Sequence, residues 1–198
     1  MEDNLKLGII ARENLIVAKR EKIIASELKE LAKNLLKKAK TREKFVEREI
    51  NLAKTRKGFI EENEKLIESK IKSKEVLDIS EEEINKDKEF IKYHENIAEE
   101  QLQMAKKHKS IADLEEKLAN NKIELANIKI HAANIRFNLS KLQLKYLKTI
   151  EGGSSQSKIM VIRTSFKQEQ EKLNHYLNEI KEKEKEVKLL QDDIAKIN

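Results

Sequence analysis

The sequence predicts an all-α fold, a long antiparallel coiled-coil hairpin with a third helix packed on its base. Charged residues make up 39 % of the 198 residues and aromatic residues 4 %, and there is no proline, which favours long helices over a globular core. Apolar residues recur at every seventh position, as in coiled coils. We therefore expect one elongated domain with a three-helix base and a two-helix tip. Its predicted parts are helix 3–77, turn 78–80, helix 81–150, linker 151–157 and helix 158–197.

The turn is predicted from the signals that start the second helix. Ser80 and Glu83 have the spacing of a capping box, in which each side chain accepts a hydrogen bond from the backbone amide of the other. Ile79 and Ile84 have the spacing of a hydrophobic staple, and residues 81–83 place three carboxylates at the positive end of the helix dipole. A helix therefore begins at about Ser80. The alternative is one uninterrupted helix that contains the box by chance.

Two apolar columns with heptad spacing run along each arm of the predicted hairpin. A strict seven-residue repeat implies left-handed supercoiling, and alanine in one column lets the helix axes come close. We expect both columns to form the seam between the arms. In the first arm they are Ala11, Ala18, Ala25, Ala32, Ala39, Val46, Ala53, Ile60 and Ile67, and Val17, Ile24, Leu31, Lys38, Phe45, Leu52, Phe59 and Leu66. In the second arm they are Ile84, Ile91, Ala98, Ala105, Ala112, Ala119, Ala126 and Ala133, and Phe90, Ile97, Met104, Ile111, Leu118, Leu125, Ala132, Leu139 and Tyr146.

A polar column lies between the two apolar columns of each arm. If the chain folds back at the turn, residues whose numbers add to 157 face each other, and each resulting pair near the turn is chemically compatible. The column therefore predicts a ladder in the seam that fixes the register of the arms, whereas the alternative is a column that faces solvent. The ladder pairs Arg42 with Glu115, Glu49 with His108, Arg56 with Gln101, Asn63 with His94, and Lys70 with Asp87. Further from the turn the same rule pairs Glu21 with Arg136 and Asn14 with Gln143, although Leu28 and Leu35 meet Lys129 and Lys122.

The linker and the third helix are predicted from glycine and from the cleanest heptads in the chain. Gly152 and Gly153 end the second helix, and the serines that follow favour a flexible backbone or a helix cap. In helix 158–197 ten of twelve heptad positions are apolar, and such a stripe must be covered. We expect it to cover the base of the hairpin. The alternative is an intermolecular coiled coil, which makes the protein a homo-oligomer through helix 158–197.

Acidic and basic residues are separated along the hairpin. Residues 61–89 hold eleven acidic and six basic residues, whereas residues 29–48 hold eight basic and three acidic residues. The acidic tip is a candidate surface for a protein partner, and the basic waist could bind the phosphates of nucleic acid or anionic lipid. The tip residues are Glu61, Glu62, Glu68, Glu75, Asp78, Glu81 and Glu82. The waist residues are Lys33, Lys37, Lys38, Lys40, Lys44, Lys106, Lys107 and Lys109.

The sequence contains no catalytic or cofactor motif. The chain has no cysteine, and its histidines at positions 94, 108, 131 and 175 do not form the i,i+4 pair that places two ligands on one helix face. Adjacent carboxylates such as Glu61 and Glu62 are typical of a solvated helix surface. We therefore predict no catalytic, cofactor-binding or metal-binding residue, no cofactor and no enzymatic activity.

The remaining expectations concern location and role. The acidic start from Met1 to Asn4 lacks the basic region and apolar core of a secretory signal, and no apolar run approaches the length of a membrane span. A cytoplasmic location is therefore expected. The predicted function is a non-enzymatic scaffold or adaptor in a larger assembly, with the hairpin tip presented to a protein partner. The alternative is a basic helical module that binds nucleic acid or an anionic membrane surface.

Overall fold

Three long helices make up the part of the chain that the structure describes. The computed structural model describes residues 2–73 and 80–197, with side chains from residue 4 onward. Helix α1 spans Glu2–Lys72, α2 spans Glu81–Glu151 and α3 spans Gln156–Ile197. No strand occurs in these two ranges. The predicted all-α fold is confirmed.

The helices form two units, and α1 and α2 contribute to both of them. The three-helix unit contains Met1–Leu36 and Glu115–Lys196, and the two-helix unit contains Lys37–Leu114. In the three-helix unit Arg136 of α2 forms an ion pair with Glu21 of α1. In the two-helix unit Lys70 pairs with Asp87 at 2.7 Å. Both pairs satisfy the sum of 157, so α1 and α2 are antiparallel in each unit, as the predicted hairpin requires.

The alanine-rich columns form the contact between α1 and α2. The alanines of this column are at most 2 % exposed in both helices. In part of the two-helix unit isoleucine occupies this column instead of alanine. A buried cluster there contains Ile60, Ile67, Ile84, Ile91 and Ala98. Because alanine keeps interhelical distances short, the core of the α1–α2 pair is narrow.

The second apolar column of α1 lies outside this seam, which corrects the sequence-based expectation. Val17, Ile24 and Leu31 are 45–65 % exposed in the three-helix unit, and Phe45 and Leu52 are 45 and 55 % exposed in the two-helix unit. The physical reason is that the alanine and polar columns already occupy the line of closest approach. The second column is rotated beyond the polar one and points away from that line.

Helix α3 covers the matching column of α2 in the three-helix unit. Its Leu173 packs with Ala132, Ile135 and Leu139 of α2, while partly buried side chains of α3 surround this cluster. A second cluster joins Val187 of α3 to two leucines of α2 and to Leu35 of α1, so α3 contacts both arms. The predicted packing of the third helix on the base of the hairpin is confirmed.

The start of α2 shows the Ser80 half of the predicted capping box. The backbone amide of Glu83 donates to Ser80 Oγ at 3.2 Å, and the amide of Ile84 donates to the Ser80 carbonyl at 3.3 Å. Ser80 therefore caps the helix. Before it, Ser73 forms a turn directly after α1. The predicted helix residues 74–77 and the turn residues 78 and 79, including the staple residue Ile79, lie outside the described residues.

The connection between α2 and α3 is shorter than predicted. Gly153 has φ of 63°, its amide donates to the Ile150 carbonyl at 3.1 Å, and the Ser154 amide donates to the Thr149 carbonyl at 3.1 Å. This pattern is a Schellman motif, which satisfies the last carbonyls of α2. The next helix then begins at Gln156 rather than at residue 158, because the Ser155 carbonyl already accepts from the Ile159 amide at 3.4 Å.

Gly153→Ala should lower the free energy of unfolding by about 1 kcal/mol, because a Cβ atom is disfavoured at this positive φ. Gly58→Ala is the matched control, since Gly58 lies inside α1 and an added Cβ atom meets nothing within 4 Å. That change should raise the free energy of unfolding by about 0.5–1 kcal/mol. Urea denaturation of both variants measures the difference. A stabilising effect at Gly153 contradicts the assigned helix end.

Candidate functional site

An exposed apolar stripe is the most prominent surface of the two-helix unit. Six large side chains that are 43–60 % exposed form it: Phe45, Leu52, Phe59 and Leu66 of α1, and Phe90 and Met104 of α2. The rings of Phe59 and Phe90 meet edge to face with centroids 6.1 Å apart, and Leu66 and Phe90 line one cleft. The two helices therefore contribute to the stripe on the same side of the unit.

These six side chains are exposed because the two helices of the unit leave them largely uncovered, whereas Ile97 and Ile111 of the same α2 column are half-buried and 2 % exposed. In the three-helix unit the same column of α2 continues as Leu118, Leu125 and Leu139, which are 6–8 % exposed because α3 packs on them. Large exposed apolar patches mark interaction sites in proteins. In the three-helix unit α3 therefore covers the column of α2, whereas Phe90 and Met104 in the two-helix unit remain open to contact.

The polar column next to the stripe is paired at the end nearest the turn. Lys70 Nζ lies 2.7 Å from Asp87 Oδ2 and 3.5 Å from Glu83 Oε1. The hydrogen bond to Asp87 raises the pKa of Lys70, partial burial lowers it, and the charges of Asp87 and Glu83 raise it further. This pair is the one that the numbering rule predicts.

Further along the column, the polar side chains contact other groups or have buried polar atoms without a partner. Asn63 Nδ2 donates to the Phe59 carbonyl of its own helix at 2.7 Å, while the ring of His94 contacts the rings of Phe59 and Phe90 at 5.7 and 4.4 Å. Among the described residues, Arg56 Nη1, Gln101 Oε1 and His94 Nδ1 are buried without a hydrogen-bond partner. Buried polar atoms without partners cost stability, so these three side chains contribute less to the seam than a paired set would.

The other members of the predicted ladder are at least partly buried. His108 is half-buried and meets the ring of Phe45 edge to face at 5.7 Å, and Glu49 is also half-buried. Arg42 is half-buried in the two-helix unit, whereas Glu115 is 6 % exposed in the three-helix unit. The structure thus brings Lys70 and Asp87 together, but joins neither Glu49 to His108 nor Asn63 to His94.

The acidic tip residues lie on the surface wherever the structure describes them. Glu61, Glu62, Glu68, Glu81 and Glu82 are exposed. The carboxylate of Glu82 lies 2.8 Å from Lys86 one turn later, and both side chains remain more than 70 % exposed. Two further predicted tip residues, Glu75 and Asp78, lie outside the described residues.

The basic waist residues are also exposed. In the three-helix unit Lys33 forms an ion pair with Glu30 at 2.7 Å. In the two-helix unit the exposed members are Lys37, Lys38, Lys40, Lys44, Lys106, Lys107 and Lys109. Their amines are therefore accessible to an anionic surface.

A second apolar surface, on α1 of the three-helix unit, was missed in the sequence analysis. Ile9, Ile16 and Ile23 form a heptad column that is 50–58 % exposed, beside the exposed Val17 and Ile24. The signal that could have found this surface is the repeated pair of adjacent apolar residues at intervals of seven. Two neighbouring columns cannot both face a single partner helix when a third, alanine-rich column already does.

A cleft of about 290 Å³ lies between the helices of the three-helix unit. Aliphatic side chains line much of it, with Phe166 and the pair of Tyr146 and Arg163 at one side. Arg163 Nη2 donates to the Tyr146 hydroxyl at 2.8 Å. Its lining holds no carboxylate, histidine or hydroxyl nucleophile other than the phenol of Tyr146, so it offers no acid–base pair for catalysis.

Two further features bear on ligands and membranes. Within the described ranges, no group of three or more histidine, aspartate or glutamate side chains is placed to hold a metal ion. No helix of residues 2–73 or 80–197 combines the length and hydropathy that crossing a bilayer requires. In the three-helix unit the ring of His131 stacks on that of Tyr176 with centroids 5.8 Å apart, and His175 lies 3.3 Å from Glu179.

Lys183 is one of the two polar residues, with Glu169, that interrupt the apolar stripe of α3. Its amine donates to Glu124 at 2.7 Å, to Glu186 at 2.8 Å and to Asn121 Oδ1 at 3.2 Å. The hydrogen bonds to Glu124 and Glu186 raise the pKa of Lys183, although desolvation opposes the shift. The Lys183 contacts therefore fix the position of α3 along α2.

The raised pKa of Lys183 predicts an alkaline loss of stability. Its contribution is complete below the unfolded-state pKa of 10.5 and disappears as the pH rises through the higher folded-state pKa. The difference in unfolding free energy between wild type and Lys183→Met should therefore shrink by about 0.5–1 kcal/mol as the pH rises through the folded-state pKa. Lys181→Met, an exposed change on the same helix, is the control and should show no such convergence in denaturation experiments.

Comparison with protein-family models, with curated proteins and with solved structures gave no significant match. The functional argument therefore rests on the surfaces described above.

Proposed function

We propose that the protein is a non-enzymatic scaffold or adaptor that works inside a larger assembly and presents the acidic end of its two-helix unit to a protein partner. The observation that carries this proposal is the exposed apolar stripe. Its side chains are only partly covered within the unit, and they leave a long surface suited to contacts with other chains. The acidic residues beside it add charge that can select a partner.

The lining of the apolar cleft in the three-helix unit supports a binding role over a catalytic one. Catalysis needs titratable groups that converge on a concave site, whereas the exposed carboxylates of the acidic end lie on convex helix surfaces. We therefore propose as well that the protein has no enzymatic activity. A cytoplasmic location also belongs to the proposal, and fractionation of the native source tests that part.

Affinity capture with mass spectrometry tests the partner contact. The triple variant Glu61→Lys, Glu68→Lys and Glu82→Lys reverses exposed charges at the acidic end. It should lose proteins that the wild type captures, because opposite charge at the rim of an interface repels the cognate surface.

The matched control for this capture experiment reverses charges in the three-helix unit. Glu13→Lys, Glu27→Lys and Glu171→Lys change the net charge equally, at exposed sites of that unit. The control should retain the same proteins as the wild type. Equal capture by both triple variants contradicts the proposed tip contact.

The exposed lysines of the two-helix unit support the second candidate function, binding of nucleic acid or anionic lipid. Such binding depends on phosphate neutralisation, so its affinity should fall steeply between about 50 and 200 mM salt. Titration of duplex DNA and of anionic vesicles at both salt concentrations measures this. Tight, salt-sensitive binding that is lost on charge reversal of Lys37, Lys40 and Lys44 favours this candidate over the scaffold.

Homo-oligomer formation through helix 158–197 has less structural support than contacts through the stripe of the two-helix unit. The heptad stripe of α3 is already covered by α2 and Leu35 within one chain. The stripe of the two-helix unit is the better surface for contacts between chains.

A further inference from the structure

We propose that the apolar stripe of the two-helix unit binds a second copy of this chain, so that two such units pack face to face with their helices reversed. This inference rests on the proposed function and deepens it, because it assigns the apolar stripe of the scaffold to self-association. It is supported by the spacing of the stripe, by its size and by the charge of its two ends.

The spacing makes the stripe complementary to itself. On α1 its members are Phe45, Leu52, Phe59 and Leu66. A two-fold axis between Leu52 and Phe59 places Leu52 against Phe59 of the second copy, and Phe45 against Leu66. Each contact is then made twice, as an isologous interface requires. Among the four α1 members each aromatic side chain then meets an aliphatic one, so large rings do not compete for one space.

The size of the stripe fits a specific dimer. Residues 45 to 66 of a helix extend over about 32 Å, and two adjacent helices are about 20 Å wide, which gives a footprint of about 600 Å² per copy. Specific interfaces bury about 800 Å² per partner, so this footprint supplies about three quarters of that area. A single added helix would cover only part of this width.

The charges select the reversed arrangement over a parallel one. Residues 37–54 and 103–114 hold ten basic and four acidic residues, a net charge of +6. Residues 55–73 and 80–102 hold eight basic and twelve acidic residues, a net charge of −4. Reversed packing sets the basic end of each copy beside the acidic end of the other, whereas parallel packing sets like charges together.

The rim of the stripe carries the same polarity. Arg48 and Glu62 are both exposed, and each follows a phenylalanine of the stripe, Phe45 or Phe59, by one helical turn on the same side. Along α1 the two residues lie at nearly equal distances on opposite sides of the proposed two-fold axis. The axis therefore brings Arg48 of one copy beside Glu62 of the other. This pair gives the reversed arrangement a direct chemical test.

Sedimentation equilibrium of the purified full-length protein tests the inference. The wild type should be a dimer at about 10 µM, and Leu52→Glu or Phe59→Glu should raise the dissociation constant at least about tenfold by burying a carboxylate in the interface. Ile71→Glu is the control within the same unit, because Ile71 is 46 % exposed but lies off the stripe. It should change the dissociation constant less than about twofold.

Charge exchange tests the orientation. Arg48→Glu and Glu62→Arg should each weaken the dimer at least about threefold, and the double variant should restore wild-type affinity. Circular dichroism of each variant serves as the control that these exposed substitutions leave the helices intact. A monomer at about 100 µM, a dimer that tolerates Leu52→Glu, a dimer lost instead through Ile23→Glu, or a failure of the charge exchange to restore affinity overturns the inference.

The outcomes remain separate from those of the proposed function. A monomeric protein that still captures a partner through its acidic end overturns the dimer and leaves the scaffold role. A stripe-dependent dimer that captures no partner through that end upholds the dimer and contradicts the tip contact.

Discussion

Leu173→Ala should lower the free energy of unfolding by about 2–4 kcal/mol, because it leaves a cavity in the contact between α3 and α2. Leu173 is 7 % exposed and packs with Ala132, Ile135 and Leu139. Partly buried side chains of α3 close the cluster on its outer side. Chemical denaturation of the full-length variant measures the loss.

The control for this change is Leu189→Ala on the same helix. Leu189 is 64 % exposed, so its truncation removes little buried surface and should change the unfolding free energy by less than about 0.5 kcal/mol. Equal effects at the two positions mean that the stripe of α3 does not cover α2 in solution. Such a result would favour the alternative in which α3 forms a coiled coil between chains.

Ala53→Leu should lower the free energy of unfolding by about 1–3 kcal/mol, because it overpacks the seam of the two-helix unit. Ala53 is fully buried in the alanine-rich column of α1, where only a small side chain allows close approach of α2. The larger side chain must push the helices apart or adopt a strained rotamer. Thermal and urea denaturation measure the cost.

Ala195→Leu is the matched control for the seam variant. Ala195 is exposed on α3, where the same added volume meets solvent and helix propensity hardly changes. Its unfolding free energy should stay within about 0.5 kcal/mol of wild type. A neutral Ala53→Leu variant would show that the seam is loose enough to accept the added carbon atoms.

The antiparallel fold was predictable because local signals and the seven-residue repeat agree. Ser80 caps α2 as the capping box predicts, and the sum of 157 places Lys70 beside Asp87 and Glu21 beside Arg136. The same rule did not predict the partners of Asn63, which bonds to its own helix. A numbering rule gives the level at which two residues lie, but it does not determine the rotamers of long polar side chains.

The position of the second apolar column was not predictable from spacing alone. A heptad repeat gives the interval between residues, whereas the rotation of each helix decides which columns face the partner. Alanine settles this rotation, because the shortest side chains allow the closest approach. Leu52 and Phe59 are consequently exposed in the two-helix unit, and this exposure creates the surface on which the proposed self-association depends.

The candidate surfaces were predictable as regions of charge but not as binding sites. The lysines from Lys37 to Lys44 were expected at the surface and lie there, since long charged side chains on helices seldom bury their amines. Whether such a surface binds anything depends on the shape and charge of a partner, which are not encoded in the local pattern. The end of α2 was predicted from Gly152 and Gly153, whereas the start of α3 at Gln156 rather than at residue 158 was not.

The repetitive seam of α1 and α2 has a consequence for how this protein can change in length. Removing one heptad from each arm, for example residues 50–56 with 101–107, returns every remaining column to its place and keeps facing residues opposite one another. Each such removal shortens both helices by about 10.5 Å. The seam of the two-helix unit is therefore expected to keep its packing when insertions or deletions are whole heptads made in both arms at once.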